Sequence, residues 1–169
     1  VALTTRQASA LGSTQIAGLT TAQIAAIETT DFAVLSPTAI GALNATQAAK
    51  LTTDQLVALT TSQAGALSST ALGALSAAQL GAMETTDIAR ISAAAAPGIN
   101  VANLSTAQLA SLSQLAIGGL TTAQIAALST DQVVALQPIQ TRALNSTQIG
   151  ALSTTQLAAM ETADVAALK

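Results

Sequence analysis

The chain has 169 residues, half of them apolar, but it carries one aromatic residue (Phe32) and neither cysteine nor histidine. Disulfides and thiolate metal sites are thereby excluded, and the commonest general base and metal ligand is missing. Five basic residues against eight acidic ones, a net charge of −3, argue against a nucleic-acid partner, which needs clustered Lys and Arg.

From the start of the chain an eight-residue period runs through Leu3, Leu11, Leu19, Ile27, Leu35 and onward to Met83. With the leucine as position 1, the consensus is L-[ST]-T-x-Q-[ILV]-[AG]-A. Position 5 is glutamine in thirteen units, for example Gln15, Gln23, Gln124 and Gln156. After an interruption over Ile91 to Ala95 the frame resumes at Ala96 and continues through Leu104 to Met160. The predicted organisation is a single array over 1–169: octads at 3–90, a break at 91–95, and octads at 96–167. The break, which runs into Pro97-Gly98, is expected to be a local kink in one continuous array, since the frame is regular on both sides. A longer period overlays this one, because Leu51–Ile91 matches Leu128–Leu168 at a shift of 77.

An octad fits neither a long helix nor a strand. Eight residues of continuous helix leave a net rotation of about 80°, so the leucines would spiral around it instead of forming a stripe. In a strand, positions 1 and 6 have opposite parity and would face opposite sides of a sheet. A short helix that restarts every octad does fit. Thr20 in Leu19-Thr-Thr-Ala-Gln-Ile24 is a good N-cap, and Gln23 stands three residues later, as a capping box requires. Leu19 and Ile24 then have the spacing of a hydrophobic staple. Such a helix holds only about five to six residues, far below the ~12–15 that a stable isolated helix needs. Stability has to come from stacking, with Leu and Ile buried against neighbouring turns and the Ala or Gly at positions 7 and 8 allowing close backbone approach. The predicted fold is all-α, a solenoid or superhelix of very short helices, one per eight-residue repeat.

The search for chemistry is nearly empty. Glu28/Asp31, Glu84/Asp87 and Glu161/Asp164 replace the consensus hydroxyl and glutamine with paired carboxylates. They suggest either a surface cation site or acids interacting with a helix N-terminus. Two carboxylates per unit fall short of the six to eight oxygens that Ca²⁺ takes, which favours the second. The Thr-Thr pairs suggest a flat hydroxyl array, but Ser68-Ser69, Ser76-Ala77 and Ser36-Pro37 interrupt it, and capping explains the hydroxyls without a ligand. Hydroxyl nucleophiles are plentiful, yet no base is present to activate them. No catalytic, cofactor-binding or metal-binding residue is predicted. Phe32 is expected in the core, and Pro37 and Pro138 at N1 of their helices. Ser, Thr or Gln interrupts every apolar stretch short of 18 residues, so no membrane span is expected.

LTTDQLVAL and LSTDQVVAL resemble the start of a TAL-effector repeat over about one octad, without its long period, its paired base-reading residues or its basic character. DNA recognition is therefore not expected. Over almost the whole chain, LTTAQIAAL and LSTTQLAAM resemble the low-complexity tandem arrays of very large secreted or surface-attached bacterial proteins. That resemblance implies a structural or adhesive role outside the cell. The expected function is a non-enzymatic segment of an extracellular stalk, fibre or matrix protein that associates with itself head to tail or laterally. The alternative is an adhesive module for carbohydrate, ice or a host surface. Both termini, Val1-Ala2 and Leu168-Lys169, cut through an octad, which suggests a longer array or a stacking subunit.

Overall fold

The computed structural model describes residues 3–168, with the side chain of Ala163 outside the description; Val1, Ala2 and Lys169 lie outside the described residues. The described chain is all-helical. It forms nineteen α-helices of four to six residues, from Thr5–Ser9 to Thr162–Ala167, and two 3₁₀ turns, Ala96–Gly98 and Val101–Asn103.

Each helix starts where the capping chemistry places it. At Thr20 the hydroxyl accepts from the Gln23 N–H at 3.2 Å while Gln23 Oε1 accepts from the Thr20 N–H at 2.8 Å. All thirteen glutamines at position 5 accept the N–H of their own cap residue in this way. Helices end because positions 1 and 2 are extended: Leu19 has φ −73° and ψ 143°, Thr20 φ −69° and ψ 159°. Two extended residues turn the chain before the next cap, and no described residue needs a positive φ. Pro37 and Pro138 open their helices, where a missing N–H costs nothing. Replacing Thr121, whose hydroxyl accepts from the Gln124 N–H at 3.2 Å, with alanine is expected to cost about 1 kcal/mol, measured as a shift in the urea midpoint at unchanged m-value.

The helices stack in threes. Ser13–Gly18 packs on Pro37–Gly41, Pro37–Gly41 on Thr61–Ala64, and Thr61–Ala64 on Thr85–Ile88. The same third-neighbour pairing runs through the 3₁₀ turns, with Ser69–Gly73 on Ala96–Gly98 and Ala77–Ala82 on Val101–Asn103. One turn of the solenoid is therefore three units, and the twenty-one helical elements make seven turns with three columns of stacked helices. Positions 1 and 6 fill the interior. Ile24, Phe32, Ile40, Leu56, Leu80 and Val133 are fully buried at position 6, and Leu35, Leu51, Leu67 and Leu112 are buried at position 1. Phe32, the one aromatic residue, belongs to the helix stacked on that of Ala8, whose position 6 is small.

The irregular stretch continues the stack. Ser92 caps its own turn, its hydroxyl accepting from the Ala95 N–H at 3.2 Å, and Ala96 is fully buried at the place of position 6. Ile91–Gly98 thus has the anatomy of a complete octad, although the sequence frame breaks over 91–95. The unit that lacks three residues is Ile99–Asn103. It keeps its inward pair, Ile99 and Val101, both buried, and loses the first helical turn, which leaves a 3₁₀ turn. Glycine is required beside it for room, not for conformation. A Cβ on Gly98 would lie 1.9 Å from the Ser69 carbonyl oxygen, and one on Gly119 would lie 2.4 Å from that of Ala93.

Candidate functional site

The principal polar chemistry of the molecule is a ladder of glutamine amides. Capping uses only the oxygen of each side chain. The other end, the NH₂ with two donors, reaches back a full turn and bonds two backbone carbonyls. Gln55 Nε2 donates to the Ile24 and Ile27 carbonyls, both at 2.8 Å, and Gln132 Nε2 donates to those of Val101 and Leu104, both at 2.8 Å. All ten position-5 glutamines beyond the first turn make this pair of bonds, at 2.6–3.2 Å. The spacing is 31 and 28 residues, and it drops to 28 and 25 for Gln108 and Gln124, whose path crosses the shortened unit. Each amide satisfies a cap donor on its own unit and two acceptors one turn back, position 6 of one unit and position 1 of the next, so one side chain ties secondary to tertiary structure.

This role goes beyond the capping assignment made from sequence, and a signal for it was present. A capping box accepts Glu or Gln alike, yet position 5 is never Glu in this chain. Capping alone has no reason to prefer glutamine over glutamate; a requirement for N–H donors does, and the three units with aspartate at this position are outside the ladder.

The acidic units are the exceptions to the ladder. Glu28, Glu84 and Glu161 stand at N-caps with no side-chain cap bond and are exposed, whereas Asp31, Asp87 and Asp164 are buried at position 5. Their helices, Thr29–Phe32, Thr85–Ile88 and Thr162–Ala167, belong to three different columns, so the pairs do not converge. Among the described residues no three Asp, Glu, His or Cys groups come close enough to hold a metal ion. Each aspartate follows, one turn later, a unit with a small residue at position 6: Ala8, Ala64 and Thr141. The Thr141 hydroxyl donates to Asp164 Oδ1 at 3.4 Å, while Asp87 Oδ2 is buried without a partner. Burial, with a smaller contribution from Glu84, holds the Asp87 carboxyl above the ordinary aspartate range. Burial also raises Asp164, partly offset by the Thr141 hydrogen bond and reinforced by Glu161.

A pKa raised on folding means that the native state holds its proton more tightly than the unfolded chain. The contribution to stability is therefore complete below the unfolded pKa, near 3.8, and is lost as pH rises through the folded value. By the ladder register Asp87 occupies the place from which an amide would reach the Leu56 and Leu59 carbonyls. Asp87→Gln is expected to supply those bonds, raising stability at pH 7 by about 1–3 kcal/mol and flattening the decline between pH 4 and 7. Denaturant melts of both proteins across that range provide the check; an unchanged pH dependence would reject the assignment.

The stacking also sorts the hydroxyls into columns. In the column that begins with Ser13–Gly18, position 3 reads Ser13, Pro37, Thr61, Thr85, Thr106, Thr130 and Thr154, all exposed. Five successive turns thus present threonine at one register. The column of Thr21 is irregular (Ala45, Ser69, Ala93, Gln114, Pro138, Thr162), and that of Thr5 is interrupted by Ala77 and the shortened unit. Of the interruptions seen in sequence, Ser69 and Ala77 fall on other columns, and Pro37 lies before the five-threonine run.

The stacked octads and the glutamine ladder define a tandem-repeat protein, a closely stacked helical solenoid. The chain belongs to the ALTTAQ repeat family, whose model matches residues 24–61, 101–138 and 140–169. Comparison with curated proteins and with solved structures returns no match. No described helix is long and apolar enough to cross a membrane.

Proposed function

We propose that the chain is a structural repeat segment of a stalk, fibre or matrix protein outside the cell, that it is not an enzyme, and that its work is length, stiffness and self-association. The observation that carries this reading is the fate of the buried polar groups. Of thirteen buried polar or charged residues among those described, nine are glutamines, and each of the nine holds one turn to the turn before it. Side chains committed in this way resist bending and local opening. A chain with only thirteen charged residues in 169 also offers little electrostatic repulsion between copies.

Small-angle scattering tests the stiffness. Seven turns, stacked at roughly 8–10 Å between helix axes, give a rod on the order of 60 Å long, and a tandem duplication should double that length. A compact particle that does not lengthen on duplication would sink the reading. Association with little ionic character should persist or strengthen at high salt; light scattering from low to high salt measures this, and dissociation by salt would contradict it. Immunogold labelling of intact cells tests the location.

A second reading, an adhesive module for a regular solid surface such as ice or a crystalline polysaccharide, draws support from one observation: the five-turn threonine column. Thr85→Lys, Thr106→Lys and Thr130→Lys together should abolish retention on such a surface without changing the circular dichroism. Retention that survives these changes would remove this reading and leave the structural one untouched.

A further inference from the structure

One rung of the stack is lined by oxygen alone. Gln63 reaches the Phe32 and Leu35 carbonyls and Gln79 those of Ala48 and Leu51, each 31 and 28 residues back. The same register sets Asp87 against the Leu56 and Leu59 carbonyls, and the Leu59 carbonyl receives no hydrogen bond among the described residues. Asp87 is 2 % exposed, and its Oδ2 has no hydrogen-bond partner. The helices packed chiefly on Thr85–Ile88, namely Thr61–Ala64 and Thr106–Ser111, bring it no charged residue. Within its own unit Arg90 is exposed, and Glu84 adds negative charge. The internal duplication shows how such a carboxylate is otherwise met. Asp164, 77 residues on, lies above Thr141, whose hydroxyl is 3.4 Å from Asp164 Oδ1 and 3.1 Å from the Gln137 carbonyl oxygen. The counterpart of Thr141 beneath Asp87 is Ala64, which is smaller and brings no donor. Aspartate is also one methylene shorter than glutamine. Its carboxylate therefore stops about 1.5 Å before the point where an amide nitrogen stands in the other rungs, 2.6–3.2 Å from both carbonyls.

We propose that this point binds a monovalent cation of potassium or ammonium size, held by Asp87 Oδ2 and the Leu56 and Leu59 carbonyls. The ion does there what the amide NH₂ does in the glutamine rungs: it presents positive charge to two carbonyl dipoles one turn back. Backbone carbonyls can replace the hydration shell of such an ion. Their spacing, set by the stacked helices for contacts of hydrogen-bond length, suits potassium and ammonium, whose oxygen contacts are of that length. Sodium and lithium make shorter ones, and calcium calls for more oxygens than one carboxylate and two carbonyls supply. A buried carboxylate without a counter-ion is costly, which is why burial holds the Asp87 carboxyl above the ordinary range. A cation beside it favours the charged form instead. Occupied, the rung joins the Leu59 unit to the Asp87 unit, and the ion sets the strength of that junction.

The test follows thermal unfolding of the full chain by circular dichroism at neutral pH, in chloride solutions of equal ionic strength. Their cation is potassium, ammonium, sodium or tetramethylammonium. The wild-type midpoint should be higher by about 3 °C in potassium or ammonium than in tetramethylammonium. The rise should saturate with concentration, and sodium should give less. Acid should remove the difference, because a proton competes with the cation for the carboxylate. Asp87→Gln, which carries its own amide to the same point, should melt at one temperature in all four salts, whereas Asp164→Asn should keep the wild-type response. Thallium(I), a potassium analogue added as the nitrate to chloride-free protein, gives a direct reading. Its NMR spectrum should show a bound resonance that potassium displaces and that Asp87→Gln lacks. A wild-type midpoint that ignores the cation yet rises in acid would assign the place to a proton and overturn the proposal. A cation response that survives in Asp87→Gln would put the binding elsewhere and overturn it equally.

Discussion

Replacing Gln55 with glutamate is expected to destabilise the array severely at neutral pH and much less in acid. Gln55 is 1 % exposed. Its Oε1 accepts the Thr52 N–H at 3.0 Å, and its Nε2 donates to the Ile24 and Ile27 carbonyls. Glutamate preserves the first contact and destroys the other two, leaving two buried acceptors without donors and a carboxylate facing them. Each unsatisfied buried group costs about 1–3 kcal/mol, and the buried charge adds to that, so a total loss of roughly 4 kcal/mol or more is expected. The folded-state pKa of the introduced carboxyl would be raised. Stability should therefore return as pH falls through that raised value, where the protonated acid regains one O–H donor. Urea melts at pH 7 and near pH 4.5 give the comparison. Gln7→Glu supplies the internal control: it carries the same capping contact but has no ladder acceptor among the described residues, and it should fall within about ±0.5 kcal/mol of wild type. Equal losses at the two sites would show that the ladder contributes nothing beyond capping.

The second large effect is expected at the apolar seam. Ile125 and Leu120 are 1 % and 4 % exposed, and truncating either to alanine should cost roughly 2–5 kcal/mol, because neighbouring turns cannot collapse onto the space left. The consequence differs from that in a globular domain. Each unit packs chiefly on its third neighbours, so stability is approximately a sum of unit terms and nearest-turn interfaces. A lesion at Ile125 weakens the junctions around the fifth and sixth turns and should split or broaden the unfolding transition, with the turns before Ile99 melting last. Calorimetry reads both quantities. If Thr121→Ala proved more damaging than Leu120→Ala, the cap and not the core would govern the unit, and this account of the fold would fail.

How far the sequence could be read depends on the range of each interaction. A cap bond links residues three apart, so Thr20 and Gln23 announce the helix start, and a staple five apart marks Leu19 and Ile24 as interior; both are buried or partly buried as that spacing implies. Asp31, Asp87 and Asp164 show the limit. Their neighbours in sequence suit an exposed first turn beside an acidic cap, and only the stacking reveals that the aspartates point inward, above Ala8, Ala64 and Thr141. The Ile91–Gly98 stretch is a similar case. The missing three residues can be placed before or after Pro97-Gly98 with equal regularity in sequence, and the Ser92 cap together with the close approach of Gly98 to Ser69 decides between them.

By itself, then, the sequence determined the octad, the helix within it, its cap and its inward pair, because all of these are set by contacts within eight residues. Three units per turn, the partners of the glutamine amides 31 and 28 residues back, and the gathering of five threonines on one column were decided by tertiary structure alone. The physical reason is closure. How many short helices complete a turn depends on how the side chains at positions 1 and 6 fill a shared interior and how closely Ala and Gly let successive turns approach, and no local propensity encodes that count.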